Sequence, residues 1–101
     1  MVKREALEIA TNFLSAVTKQ YSVKSAYLFG SYAKESSHAD SDIDIAIVLD
    51  QKHFTFKNEM ELVRLRRDID LRIEPHTFLK KDFDINNQLV FEILKYGIRL
   101  V

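Results

Sequence analysis

The sequence has no cysteine and no tryptophan, and among its 101 residues only two are glycine and one is proline. The absence of cysteine excludes disulfides and thiolate-bound zinc, and it removes one argument for secretion. With so few glycines and prolines, each of them is expected to meet a specific requirement of the backbone. The fold must therefore depend on a hydrophobic core, which a chain of this length can supply.

Long hydrophobic runs and an excess of one charge are also missing. No apolar run approaches the roughly 20 residues that cross a bilayer, and the first residues, Met1 to Glu5, are unlike a signal peptide. Fifteen basic and fifteen acidic residues cancel, so no overall field attracts DNA or an anionic membrane. We expect a cytoplasmic protein that binds neither, and the sequence leaves open whether it forms a homo-oligomer.

What the chain does contain is typical of a globular domain, with 47% apolar and 30% charged residues. Neither repeats nor linker-like stretches divide it, so residues 1–101 are expected to form a single domain. Hydrophobic periodicity predicts the following elements: helices over about 3–20, over 56–67 and from a cap in 84–87 to Gly97, and strands over 23–29, 42–49, 68–74 and 98–101.

The order of these elements predicts an α/β or α+β fold, a small mixed β-sheet with helices packed on it. Pro75 is expected to end the third strand or to place it at an edge of the sheet. Between the first two strands, the polar residues Ser31 to His38 are expected to form a brief helical turn and a loop.

The sequence Asp42-Ile43-Asp44-Ile45 opens the second predicted strand. Because successive side chains of a strand point to opposite faces, Asp42 and Asp44 are expected on one face, about 6–7 Å apart at their Cα atoms. Two carboxylates this close repel each other unless a cation neutralises them, and Mg²⁺ prefers oxygen ligands. The pair predicts a metal site, against the alternative of solvated acids on an edge strand. A Ca²⁺ loop starting at Asp40 is disfavoured, because Ile45 and Gln51 stand where it needs glycine and glutamate.

A phosphate site is predicted just upstream of this pair. Gly30 and Ser31 open the turn after the first strand; free N–H groups there favour an anion, and glycine lets a phosphate approach the backbone. The Ser31 hydroxyl can donate a further hydrogen bond, and Lys34 is either a phosphate ligand or a solvated side chain. An ordinary turn would have the same sequence, so the argument depends on the nearby aspartates. Together they predict a site for a nucleoside triphosphate and a metal ion.

A third carboxylate is expected from the strand predicted over 68–74. Asp68 and Asp70 would share its polar face, opposite Ile69 and Leu71. Asp70 is favoured because it lies deeper among apolar residues, whereas Asp68 follows two arginines and can pair with one of them. The histidines have no ligand spacing and are expected at the surface: His38, His53 and His76.

These residues carry a resemblance to a known family. The pattern Gly-Ser, ten residues, Asp-x-Asp from Gly30 to Asp44, the later apolar-Asp-Leu sequence and the closing Leu-x-x-x-Ile-Leu-x-x-Gly-Ile resemble the DNA polymerase β-like nucleotidyltransferases. More narrowly, the chain resembles the minimal nucleotidyltransferases (MNT), many of which are antitoxins paired with HEPN-domain toxins. The resemblance extends from the strand before Gly30 to Val101.

The resemblance implies a nucleotidyltransferase fold and roles for the candidate residues. Asp42 and Asp44 would bind one or two Mg²⁺ ions, and Asp70 would share the metal that activates the attacking hydroxyl. Gly30 and Ser31 would hold phosphates of the nucleotide, most simply ATP. The reaction would be in-line attack on the α-phosphorus with release of pyrophosphate. In MNT antitoxins the acceptor is typically a tyrosine of the toxin, which implies a HEPN toxin as the partner.

Three residues depart from the family, which often reads Gly-Ser-Arg-Ala-Arg-Gly. Tyr32 replaces the first arginine, Lys34 replaces the second, and Glu35 replaces the last glycine. Lysine lacks the bidentate fork of arginine, and Glu35 adds negative charge near the phosphates. These changes support a second hypothesis, a module with weak catalysis that neutralises a partner protein by binding it. A third, nucleotide transfer to a small molecule, is disfavoured because the sequence offers no second substrate-binding domain.

Overall fold

The computed structural model describes residues 3–34, 36–38 and 41–101. Met1, Glu35 and Asp40, which entered the sequence argument, lie outside the described residues. The elements follow in this order: α1 (Lys3–Thr18), β1 (Val23–Phe29), β2 (Ile43–Leu49), α2 (Phe56–Leu65), β3 (Ile73–Leu79), α3 (Gln88–Tyr96) and β4 (Ile98–Arg99). None of the helices in this part of the chain combines the length and the apolar character that crossing a bilayer requires.

The four strands form one mixed sheet in the order β3-β2-β1-β4. β1 runs antiparallel to β2 and to β4, whereas β2 runs parallel to β3. Parallel neighbours need a long crossover connection, and α2 lies within it. This arrangement confirms the expected small mixed sheet with helices packed on it.

The two faces of the sheet are covered unequally. One face packs against α1 and α2 through a large apolar cluster that includes Phe13, Val17, Leu28, Ile45, Ile47 and Leu62. The opposite face carries a smaller cluster beneath α3: Tyr27, Phe29, Ala46 and Ile93, with Phe78 and Phe83 packed against it. Every residue of β2 is described, and each is buried except Asp44. A half-buried carboxylate on the strand between β1 and β3 therefore interrupts an otherwise apolar sequence.

The third strand does not lie where the alternating pattern placed it. The strand predicted over 68–74 is wrong, because β3 begins at Ile73 and a 3₁₀ turn, Arg66–Asp68, follows α2 directly. The main-chain N–H groups of Ile69 and Asp70 both donate to the Arg66 carbonyl (3.1 and 2.9 Å), so the chain continues to wind where a strand was expected. Pro75 lies inside β3 rather than after it. Its expected edge position is confirmed, since β3 pairs only with β2.

Candidate active site

Asp44 lies on the sheet face that α3 covers only in part. It stands opposite Phe29 in the antiparallel pair and beside Glu74 in the parallel pair. Its side chain is 23% exposed. Asp42 lies just before the first residue of β2 and is exposed. One carboxylate thus lies on a well-packed strand, and a second, more exposed one lies two residues upstream.

Gly30 and the Asp44 carboxylate are in direct contact. Gly30 has a φ of 77°, in the left-handed region that glycine adopts without steric cost. A Cβ atom built on Gly30 would overlap Oδ2 of Asp44 and lie 3.2 Å from its carboxyl carbon. Only glycine fits at this position, for reasons of both conformation and space. The structure therefore brings the turn and the second aspartate together, as the sequence spacing suggested.

The residues after Gly30 wind into one helical turn, as expected. The Lys34 N–H donates to the Gly30 carbonyl (3.1 Å), and the Ser36 N–H donates to the Ser31 carbonyl (2.9 Å). In a first helical turn the leading N–H groups have no carbonyl partner within the turn. Ser31 is half-buried in this turn. Its position directly after Gly30 keeps its main chain close to Asp44.

Lys34 is directed toward α3. Its Nζ lies 3.2 Å from Oε1 of Glu92 and 5.2 Å from the centre of the Tyr96 ring. Both side chains of the ion pair are substantially exposed, at 40% and 48%, and such exposed pairs contribute only about 0–1 kcal/mol. A phosphate could therefore displace Glu92 at little cost.

Tyr32, the first departure from the family pattern, is fully buried in the large apolar cluster. Its hydroxyl has no hydrogen-bond partner among the described residues. The side chain thus packs the turn against the core instead of facing the solvent where a phosphate would bind. The positive charge that arginine supplies at this position in many family members is therefore absent.

Asp70, predicted as the third metal-binding carboxylate, lies outside the sheet in the turn before β3. Its Oδ1 accepts hydrogen bonds from the Arg72 N–H (2.9 Å) and Nε (3.0 Å), and its Oδ2 accepts one from Nη2 (2.7 Å). The side-chain hydrogen bonds from Arg72 lower the pKa of Asp70, with burial opposing them. Both oxygens of Asp70 are therefore engaged in holding this turn.

Glu74 and His76 are the polar residues that β3 brings to the face of Asp44. Glu74 pairs with Asp44 and His76 pairs with Ala46, and residues directly paired across a sheet share a face. Oε2 of Glu74 lies 3.0 Å from Nη1 of Arg66, and its side chain is 49% exposed. The sequence reasoning missed both residues because it ended the strand at Pro75. The signal that could have found them is the alternation of Glu74 and His76 on either side of that proline.

His76 is not the isolated surface residue that the sequence suggested. Its Nε2 lies 3.0 Å from Oδ1 of Asp44, and its ring meets the ring of Phe29 edge to face, with 5.0 Å between centroids. The side chain is 35% exposed. His76 thus contacts the carboxylate that lies on β2.

The donor set on this face suits a hard divalent cation. Asp42, Asp44 and Glu74 offer carboxylate oxygens, the ligands that Mg²⁺ prefers, and Oδ2 of Asp44 has no hydrogen-bond partner in the described part of the chain. No group of three or more described His, Asp or Glu side chains has already converged on one point. The exposed side chains of Asp42 and Glu74 would have to turn toward Asp44 to complete a site.

Sequence comparisons identify relatives of the chain. A family model described as polymerase beta, nucleotidyltransferase matches residues 12–101. A curated protein from Methanocaldococcus jannaschii, provisionally named a protein adenylyltransferase, is 33% identical over 72 residues, which make up 69% of this chain and 72% of that protein.

Structural comparisons agree with the sequence matches. A provisionally named nucleotidyltransferase from Sulfolobus solfataricus superposes with a TM-score of 0.67 at 19% identity, covering 96% of this chain and 80% of that one. A toxin–antitoxin structure with AMP-PNP gives a TM-score of 0.65 at 22% identity over 90% of this chain and 72% of that one. A mutant of the toxin–antitoxin pair MntA-HpeT gives 0.63 at 20% identity, with the same coverage. At these identities the likeness shows a shared fold.

Proposed function

Because the chain belongs to the polymerase beta nucleotidyltransferase family and is therefore a nucleotidyltransferase, we propose that it transfers AMP from ATP, with Mg²⁺, to a hydroxyl group of a partner protein. The observation that supports this most directly is the contact between Gly30 and the Asp44 carboxylate. A phosphate bound at that glycine would lie close to a cation bound by Asp44. The proposal places the reaction in the cytoplasm, where ATP and Mg²⁺ are present.

We propose that Asp42, Asp44 and Glu74 hold the cation, with Glu74 in place of Asp70. Asp44 is fixed on β2, and Glu74 is its direct neighbour on β3. Asp70 is instead committed to Arg72. Bound Mg²⁺ would neutralise charge on the phosphates and lower the pKa of the attacking hydroxyl. The chain's own contribution is to keep these carboxylates on one face beside the glycine turn.

The main chain of Gly30 and Ser31 is proposed to bind the phosphates. Gly30 provides close approach because no side chain projects from it, and the Ser31 hydroxyl can donate a hydrogen bond to a phosphate oxygen. Lys34 would leave Glu92 and add one positive charge. As a point charge, Lys34 orients a phosphate less strictly than the arginine that is frequent in the family.

A protein acceptor is supported by the relatives rather than by a contact in this chain. The Methanocaldococcus jannaschii protein carries the name of a protein adenylyltransferase, and two of the structural relatives are toxin–antitoxin assemblies. With the MNT resemblance, these names favour a tyrosine of a HEPN toxin as the acceptor, and an antitoxin role for the chain. The partly uncovered sheet face beside Asp44 is where such a side chain would have to enter.

The test is transfer of label to the protein encoded beside this one. We expect that ATP labelled on the α-phosphate, with Mg²⁺, will label that protein on tyrosine, whereas ATP labelled on the γ-phosphate will not. Asp42→Asn and Asp44→Asn should abolish the label. Asp70→Asn is the matched control, since it removes an equal charge from a residue that is held by Arg72, and it should retain transfer.

The outcomes separate the competing functions. Failure to label the neighbour with any of the four nucleotides would count against the enzymatic proposal. Suppression of toxicity by Asp44→Asn in cells, at the level of the unmodified chain, would favour a module that acts by covering its partner. Loss of label in Asp70→Asn but not in Glu74→Gln would return the third ligand to Asp70.

A further inference from the structure

We propose that His76 is a positioning residue, whose imidazole holds one oxygen of Asp44 so that the other oxygen is presented beside the Gly30 turn. The inference rests on the proposed function, in which Asp44 is a ligand of the cation. It assigns a role to a side chain that neither the sequence motif nor the donor chemistry of the three carboxylates requires.

The contact between His76 and Asp44 has a defined direction. An ionised carboxylate can only accept hydrogen bonds, so at 3.0 Å the Nε2 of His76 must carry the hydrogen and donate it to Oδ1. The second oxygen, Oδ2, lies against the Cα of Gly30. The two oxygens of Asp44 are therefore distinguished: one is satisfied by the protein, and the other is left for a ligand.

The imidazole is itself held by a neighbouring aromatic ring. The edge-to-face contact with Phe29, at 65° between ring planes, restricts rotation of the ring. The residue paired with His76 on β2 is Ala46, whose small side chain leaves room for the ring to reach Asp44, two residues upstream on that strand. Both Phe29 and Ala46 belong to the apolar cluster beneath α3. The orientation of Asp44 is thus coupled to the packing of the sheet.

Glu74 does not supply the same restraint. Although it is the direct partner of Asp44 in the sheet, its carboxylate pairs with Arg66 and, as an acceptor, it cannot donate to Asp44 when ionised. Without His76, Asp44 would lose the side-chain hydrogen bond that holds its Oδ1. Residues that hydrogen-bond to metal ligands typically change metal affinity or activity by about 10–100-fold when they are removed.

The test measures cation affinity directly, so that it does not depend on an acceptor protein. Mn²⁺, a spectroscopic substitute for Mg²⁺, is titrated into the full chain with a non-hydrolysable ATP analogue and followed by electron paramagnetic resonance. We expect His76→Ala to weaken Mn²⁺ binding by about 10–100-fold. His76→Gln should restore most of the affinity, because the glutamine amide can donate from nearly the position of Nε2.

His53→Gln is the matched control. His53 packs edge to face on Tyr21 and lies near Asp50, beyond the other end of β2. Its loss can lower stability but should leave Mn²⁺ affinity unchanged. Thermal unfolding of all three variants separates folding from binding.

Each result decides the inference. Unchanged Mn²⁺ affinity in His76→Ala, in a chain whose unmodified form binds Mn²⁺, would overturn the positioning role and leave the proposed function intact. Equal losses in the glutamine and alanine variants would also overturn it, in favour of direct ligation by the imidazole. If the unmodified chain binds no Mn²⁺ with the nucleotide, both the inference and the metal site of the proposed function fail.

Discussion

Two requirements coincide at Gly30, since its φ of 77° favours glycine and the Asp44 carboxylate occupies the space of a side chain. We predict that Gly30→Ala lowers the free energy of unfolding by about 1–3 kcal/mol, the usual cost of a non-glycine residue in a strained conformation. The new methyl group should also push Asp44 away from its position and abolish nucleotide transfer. Chemical denaturation and the α-phosphate label measure the two effects.

The second glycine provides the control for this prediction. At Gly97 a Cβ would overlap the Ile93 carbonyl oxygen at the end of α3, but its φ of −70° is ordinary. Gly97→Ala should therefore lower stability and keep transfer in the fraction that remains folded. Full transfer by Gly30→Ala would show that the contact with Asp44 is not needed for the reaction.

Among the secondary-structure elements, the first two strands were predicted best from the sequence. β1 and β2 are short, apolar and bounded by polar residues or glycine, and their predicted bounds agree with the structure within a residue. The sequence of 68–74 alternates between polar and apolar residues, yet only its last two residues belong to a strand. The Asp70–Arg72 hydrogen bonds and the 3₁₀ turn stabilise a different local conformation before Ile73. Alternation alone cannot distinguish a strand from the observed turn, because both conformations place Ile69 and Ile73 in apolar surroundings.

The candidate site was likewise predictable only in part. Gly30 follows the end of β1 and Asp44 lies near the start of β2, and these strands are antiparallel neighbours. Because the two positions are only fourteen residues apart along one hairpin-like connection, their closeness could be inferred from the sequence. The contribution of β3 depends on register with a strand more than twenty residues away. Because β3 begins five residues later than predicted, Glu74 and His76 lie on it beside β2, whereas Asp70 lies in the turn before it. No local sequence pattern specifies such a register.

The turn before β3 yields its own prediction. Asp70→Asn should lower the free energy of unfolding at neutral pH by about 1 kcal/mol, because the asparagine loses the charge that Arg72 binds. Since the folded-state pKa of Asp70 is lowered, its stabilisation is present above the ordinary aspartate pKa of about 3.9 and is lost as the pH falls through the folded value. The difference between the two proteins should therefore shrink in acid, as denaturation at a series of pH values will measure.

Asp68→Asn is the matched control for that experiment, since Asp68 is exposed in the same turn and has no hydrogen bond to Arg72. It should change stability little at any pH. A stability difference for Asp70→Asn that stays constant into acid would contradict the charge-based account of this turn.

At the scale of the whole molecule, the unequal covering of the sheet links stability to function. The face beneath α1 and α2 carries most of the buried apolar side chains, so the opposite face can leave Asp44, Glu74 and His76 partly exposed without loss of the core. A ligand that binds beside Asp44 would bind only the folded chain, because this face combines residues of β2 and β3 with the turn that follows β1. Binding must therefore raise the stability of the entire domain.

We predict that ATP and Mg²⁺ together, at 100 times the dissociation constant, stabilise the chain by about 2.7 kcal/mol. For a domain of this size that corresponds to a rise of roughly 10–20 °C in the midpoint of thermal unfolding. Neither component alone should give this rise, because the phosphates and the carboxylates repel each other without a cation. Asp44→Asn should remove it, and Asp70→Asn should keep it. An equal rise with ATP alone, or in Asp44→Asn, would mean that the nucleotide binds elsewhere than beside the Gly30 turn.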